Sequence, residues 1–242
     1  MKTLILGMLS VILLGACSHS VYLHDQNFHA PVTQGEFGRG GFAGAIVSST
    51  EVELLRNVTS TPPDSTTTIQ ECSLGAPCVL PIGFYFDLGL LERIDFVLNP
   101  ASLGLKYQWW GSKGDGWKSS LYAGGGGTTV KDEKSSDSSS PVTAETKLSS
   151  TDLGLSFGYQ KGSAVYYLSY NVQNFSADTK VTQTGGTFQY ESTGQHQKLG
   201  LGMMTVGPGW FSGIELTGTK TTWSRAEDYT DGSFGLLAGY RW

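Results

Sequence analysis

Three cysteines and four histidines carry most of the nucleophilic and metal-binding capacity of this 242-residue chain. The histidines are badly placed to share a metal. His19, His24 and His29 recur every five residues, which does not align side chains on one helical face, and His196 stands apart. His196 lies in Gly194-Gln-His-Gln-Lys198, expected near the outer end of a strand with its ring in water, and Ser192 is too far along an extended backbone to pair with it. The glycine run 124–127 lacks the lysine and following helix of a phosphate-binding loop and reads as a strand bend. No catalytic group, cofactor or metal site is expected from these patterns, and the chain is not expected to be an enzyme.

The cysteines are more informative. The first, Cys17, follows Lys2, an apolar stretch from Leu4 to Leu14 and two small residues. That stretch is too short to span a bilayer as a helix and suits a cleaved export signal. Leu14-Gly15-Ala16-Cys17 resembles the lipobox of bacterial lipoproteins, which implies that Cys17 receives a diacylglycerol and becomes the new N-terminus. Ser18 resembles the sorting choice for the outer membrane, where Asp would imply retention in the inner one. Export also places Cys72 and Cys78 in an oxidising compartment, where a small disulfide-closed loop is expected, stabilising by about 2 kcal/mol. Two thiols without a nearby His supply half a zinc shell.

The elements that must position these groups read as strands. Only 15% of residues are charged, 12% are aromatic and 33 are glycine, lean in the Lys, Glu and Leu of a soluble helical protein. A net charge of -5 removes the electrostatic case for nucleic-acid binding. Residues 18–35, SHSVYLHDQNFHAPVTQG, have no period and are expected to be a solvated periplasmic tether. From Phe37 onward period two dominates, broken by Gly, Pro, Asn, Asp and Ser. Phe234, Leu236, Ala238, Tyr240 and Trp242 share one face of the last strand; Leu153, Leu155, Phe157 and Tyr159 do the same opposite Asp152, Gly154, Ser156 and Gly158. The second face is small or ionic, which fits a crowded polar lumen with the aliphatic face turned to lipid. Asp87, Asp95, Lys106, Asp152, Lys198, Glu215 and Arg241 are expected inside, neutralising one another.

Strands are expected near 37–48, 81–90, 93–99, 102–110, 117–129, 147–160, 164–176, 187–206, 210–222 and 232–242. Short turns then fall on one side and the long polar stretches 49–80, 130–146, 177–186 and 223–231 on the other, as in outer-membrane barrels. The low-complexity tract 131–146 is expected to be a mobile exposed loop. The expected fold is all-β: an antiparallel up-and-down transmembrane β-barrel of about ten strands, with eight as the alternative because Pro100 interrupts the stretch 91–110. The domains are a signal peptide, 1–17, a tether, 18–35, and a barrel, 36–242.

The C-terminal strand resembles the signal by which outer-membrane barrels are recognised for assembly, an aromatic last residue preceded by alternate hydrophobics, carried here by Phe234, Leu236, Tyr240 and Trp242. The resemblance implies a Gram-negative outer-membrane protein, with outer-membrane lipid and the barrel-assembly and lipoprotein-processing machineries as partners. The expected role is a non-enzymatic barrel lipoprotein acting structurally or through its surface loops, both termini at the periplasmic edge. Two alternatives stay open: a porin-like narrow pore for small solutes, and a lipid-anchored periplasmic lipocalin-like carrier. The oligomeric state is open, a homo-oligomer included.

Overall fold

The computed structural model of the chain describes residues 18–72, 82–100, 102–136 and 140–242. Within them lie thirteen strands: β1 (His19–His24), β2 (Gly40–Ile46), β3 (Ser49–Leu55), β4 (Thr68–Cys72), β5 (Ile82–Leu91), β6 (Ile94–Leu98), β7 (Leu103–Trp110), β8 (Gly116–Ser136), β9 (Ser140–Lys161), β10 (Ala164–Gln183), β11 (Gly186–Thr205), β12 (Gly209–Trp223) and β13 (Tyr229–Arg241). Ten of them, β2 and β5 to β13, form a closed antiparallel barrel in which each strand pairs with the next. The seam joins β13 to β2, with Leu236 opposite Ile46 and Tyr240 opposite Phe42. The strand count is therefore ten rather than eight. β6, with five residues, is the shortest wall strand, and it lies just before Pro100 where the pattern was weakest.

The period-two pattern becomes two chemically different surfaces. Leu153, Leu201 and Leu236 point outward at 61, 60 and 46% exposure, whereas Asp152, Lys198 and Glu215 on the opposite pleat are buried. A sandwich or lipocalin-like carrier would turn its bulky side chains inward, so this distribution opposes that alternative and makes the chain a transmembrane barrel. Aromatic rings collect toward one end of the belt. Trp117 stacks on Phe157 at 5.0 Å and meets Tyr159 edge-on at 5.2 Å, and Trp210 meets Tyr240 at 5.8 Å. Amphipathic rings favour the boundary between hydrocarbon and water.

That aromatic end is also the end of the short turns, at 92–93, 111–115, 162–163 and 206–208. Gly162 and Gly207 adopt φ of 57° and 107° there, the left-handed values that tight reversals need and glycine tolerates. At the other end the wall is taller than expected. Residues 130–146 and 177–186 are not simply loops. They are mostly strand, in the hairpins β8–β9 and β10–β11, whose arms run to 20–22 residues. Crossing the membrane takes roughly 9–11 tilted residues, so these arms project well beyond the hydrocarbon.

The largest departure from expectation is the segment 18–35, which is not a solvated tether. Its first part, β1, pairs with β3, and β3 with β4, in a three-stranded sheet. Val21 and Leu23 of β1 and Val52 and Leu54 of β3 pack with Leu148, Phe175 and Trp223 of the tall wall strands. From Asp25 the chain passes through the lumen as a strap and emerges at the turn end, where it enters β2. Ser18 consequently lies near the loop end and Trp242 at the turn end, so the two ends of the described chain are not at one edge as expected. The proposed lipid site Cys17 and the Cys78 half of the proposed disulfide lie outside the described residues.

The glycine-rich inner face makes room for the strap. A Cβ on Gly235 would stand 2.8 Å from Gln26 and 3.0 Å from Phe28, and one on Gly158 would stand 3.0 Å from Pro31. Gly235→Leu is therefore expected to weaken the seat by about 1–3 kcal/mol, the usual cost of overpacking, while leaving the wall intact. Chymotrypsin cleavage after Phe28 checks this: faster cutting in a variant that keeps its heat-modifiable gel mobility shows an unseated strap.

Candidate functional site

The polar groups of the sequence converge on the lumen, and the strap is what they converge on. At the loop end His19 Nδ1 lies 2.5 Å from Asp132 Oδ2 and its Nε2 2.7 Å from the Thr146 hydroxyl. One level down, Asp25 accepts a hydrogen bond from Thr50 Oγ1 at 2.9 Å and lies 3.3 Å from His196 Nε2, while His196 Nδ1 is 2.7 Å from Thr221 Oγ1. His196 is thus buried, contrary to the expectation of a ring in water: the β11 pleat turns it inward and the strap covers it. Hydroxyl, imidazole and carboxylate stand in the order that a nucleophilic triad uses, but here they are sealed under the strap and clasp it.

At mid-lumen the Asn27 backbone N–H donates to Glu215 Oε1 at 3.0 Å, and Lys198 Nζ donates to Asn27 Oδ1 at 3.0 Å. Tyr167 donates its hydroxyl to Glu215 Oε2 at 2.8 Å, and Tyr85 donates to the Gln26 carbonyl at 3.0 Å. Asp152 accepts from Asn171 Nδ2 and from Ser102 Oγ. The His29 ring lies against Tyr122 at 4.4 Å. Nearer the turns Asp95 receives the Gln34 N–H at 3.0 and 3.1 Å and pairs with Lys106 at 3.3 Å. Asp87 receives Gln34 Nε2 at 2.5 Å and lies 3.7 Å from Arg241, whose guanidinium covers the Phe211 ring at 4.0 Å.

All seven charges expected inside face the lumen side, but only two pairs, Lys106–Asp95 and Arg241–Asp87, meet directly. Lys198 and Glu215 are instead bridged by the strap, and Asp152 is satisfied by neutral donors. A buried charge that lacks such partners is strongly unfavourable, so the strap is part of the electrostatic solution of the lumen. The sequence reading missed Asp25, Gln26, Asn27 and Gln34. Their signal was present as four polar side chains with no period, which also describes a linker. Among the described residues there is no group of three or more metal-ligating side chains.

Outside the lumen the loop end is polar and charged. Asp64, between β3 and β4, is held below the ordinary carboxylate range by hydrogen bonds from the Thr66 hydroxyl and N–H. Glu133 is lowered likewise by Lys131, 2.7 Å away. These groups stay ionised in mildly acidic water, as suits an end that projects from the membrane.

No protein-family model matches the chain, and no curated protein matches it. Solved structures with which the chain shows a likeness include two outer-membrane proteins. One is the outer membrane protease OmpT from Escherichia coli, 9% identical, with 84% of this chain and 93% of that one covered at a TM-score of 0.43. The other is the outer membrane channel DcaP of Acinetobacter baumannii, also 9% identical, with 94 and 98% covered at a TM-score of 0.18. The expectation that the chain is not an enzyme is corrected on the first of these, since one of the barrels it is similar to is a protease. So distant a likeness assigns no activity, substrate or transport role to this chain.

Proposed function

We propose that the chain is a self-plugged outer-membrane barrel lipoprotein of a Gram-negative bacterium, which presents a rigid collar of tall hairpins and loops to the exterior as a structural or interaction surface. The observation that carries this reading is the strap: residues 25–34 fill the lumen from one end toward the other, and the small sheet β1–β3–β4 packs inside the tall strands. A lumen occupied in this way opposes the narrow-pore alternative and leaves the outer collar as the working surface. Hairpins anchored in a closed wall hold that collar still.

The lipid anchor at Cys17 belongs to the same proposal. Ser18 lies at the loop end, so an acyl group on the preceding residue sits on the outer side of the membrane, not at the periplasmic edge. Phe234, Leu236, Tyr240 and Trp242 serve as the assembly signal, facing outward on the seam strand β13. Processing and assembly machineries of the envelope are the partners this implies.

Two epitope insertions on intact cells test the orientation. A tag at Asp64 is expected to bind antibody on intact cells, and a tag at Gly162 only after permeabilisation. The reverse pattern, or two tags that both need permeabilisation, removes the reading. Metabolic labelling with an alkyne fatty acid is expected to mark the protein, and Cys17→Ala to abolish the mark.

A further inference from the structure

A cavity of about 310 Å³ lies in the turn-end half of the lumen, between the strap and the wall, and reaches the exposed turns at 92–93 and 111–115. We propose that it is a binding site for a small organic anion with an apolar body, of the class of a medium-chain carboxylate.

One side of the cavity is apolar, formed by Phe28, Tyr85, Met204, Phe211 and Leu237. The rest is unbalanced in charge: six basic side chains line it against three carboxylates. Each of the three is already engaged, Glu36 with Arg39 at 2.7 Å, Glu92 with Lys113 at 3.7 Å, and Asp87 with Arg241 at 3.7 Å. Lys106 is matched by Asp95, which leaves Lys118 and Arg93 without a carboxylate partner among the described residues.

Lys118 is the telling group. It is 2% exposed, and its ammonium, with three protons to donate, gives one to the Ser112 carbonyl. Arg241, 8% exposed, has its Nε buried and without an acceptor. A buried ammonium short of acceptors is unfavourable, and among the described residues no carboxylate stands within ion-pair distance of Lys118, while Arg241 meets Asp87 only at 3.7 Å. A carboxylate would accept from Lys118 while its chain covers Phe211 and Leu237. The volume suits a small ligand, at the lower end of the roughly 300–1,000 Å³ of small-molecule pockets. The route in is from the turn side, since the strap and the sheet above it occupy the loop-end half.

Calorimetric titration of the full chain in phosphatidylcholine nanodiscs tests the site without a competing detergent. Octanoate is expected to bind at one saturable site, and octylammonium and inorganic phosphate are not. Lys118→Met keeps the stem and removes the charge, and is expected to weaken octanoate by about tenfold or more, the scale of one lost charge-assisted hydrogen bond. Arg93→Gln, on an exposed turn, gives a second reading that does not depend on the folding of the Lys118 variant and is expected to weaken octanoate as well. No saturable octanoate binding, equal binding of octanoate and octylammonium, equal binding of phosphate, or unchanged affinity in both variants overturns the proposal. None of these outcomes bears on which face of the membrane the collar occupies.

Discussion

A chain lacking residues 18–35, refolded and inserted into a planar bilayer, is expected to pass discrete ionic current steps, while the full chain stays silent under the same voltages. The reason is mechanical. The strap sits on the axis of a ten-stranded wall whose inner face is paved with glycine, and at several positions a single added carbon would collide with it. Removing the strap leaves small side chains and separated charges facing one another across a wet gap. Lys198, Glu215 and Asp25-facing His196 all lose partners at once, which draws water in. Silence in the shortened chain, despite heat-modifiable mobility, would show that the wall collapses onto itself; steps of equal size in the full chain would show that the strap is no plug.

The second large effect is expected at the Lys106–Asp95 pair. Asp95 is fully buried, and its only cation within ion-pair distance among the described residues is Lys106, at 3.3 Å. Lys106→Met leaves a carboxylate in the lumen with the Gln34 N–H as its remaining donor, and is expected to cost about 3–5 kcal/mol. Adding Asp95→Leu removes the stranded charge and is expected to recover most of that loss, although Gln34 then keeps an unmet N–H. Urea titration of the barrel refolded into liposomes measures both. A single variant as stable as the parent, or a double variant no better than the single, would show that the pair does not hold the strap's lower end.

Much of the wall was legible because lipid imposes a strict rule on it. Phe234, Leu236 and Tyr240 alternate with Gly235 and Gly239 because one pleat meets hydrocarbon and the other a full lumen, and only that contrast writes a period into a sequence. Where the contrast ends, so does the signal. Residues 130–136 and 177–183 are strand too, but their outer pleat meets water and carries Lys131, Glu133, Asp178 and Lys180, while the inner pleat mixes Val130, Asp132, Ala177, Thr179 and Val181 against the small sheet and the chain next to it, so no bulky apolar face alternates there. They therefore read as loops. The pattern Val52, Leu54 between Glu51 and Glu53 was a usable strand signal inside a stretch dismissed as loop.

The strap was illegible for a different reason. Its partners are polar groups placed by distant strands, Glu215 and Lys198 for Asn27, Asp95 and Asp87 for Gln34, so its own side chains need no periodicity. Without those distant partners in view, a segment rich in Asn, Gln, His and Asp is chemically a linker. The same gap misplaced His196: its strand and pleat were foreseeable, but its cover was not.

The path of the strap constrains the order of construction. It precedes β2, the first wall strand, and the ring is completed only when β13, the last, meets β2. A finished ring offers no opening through which this leader could be drawn against its many polar fastenings, so the wall must curl around a leader already lying in place. On that schedule the strap never threads the ring; it is left lying along the axis as the final seam zips shut.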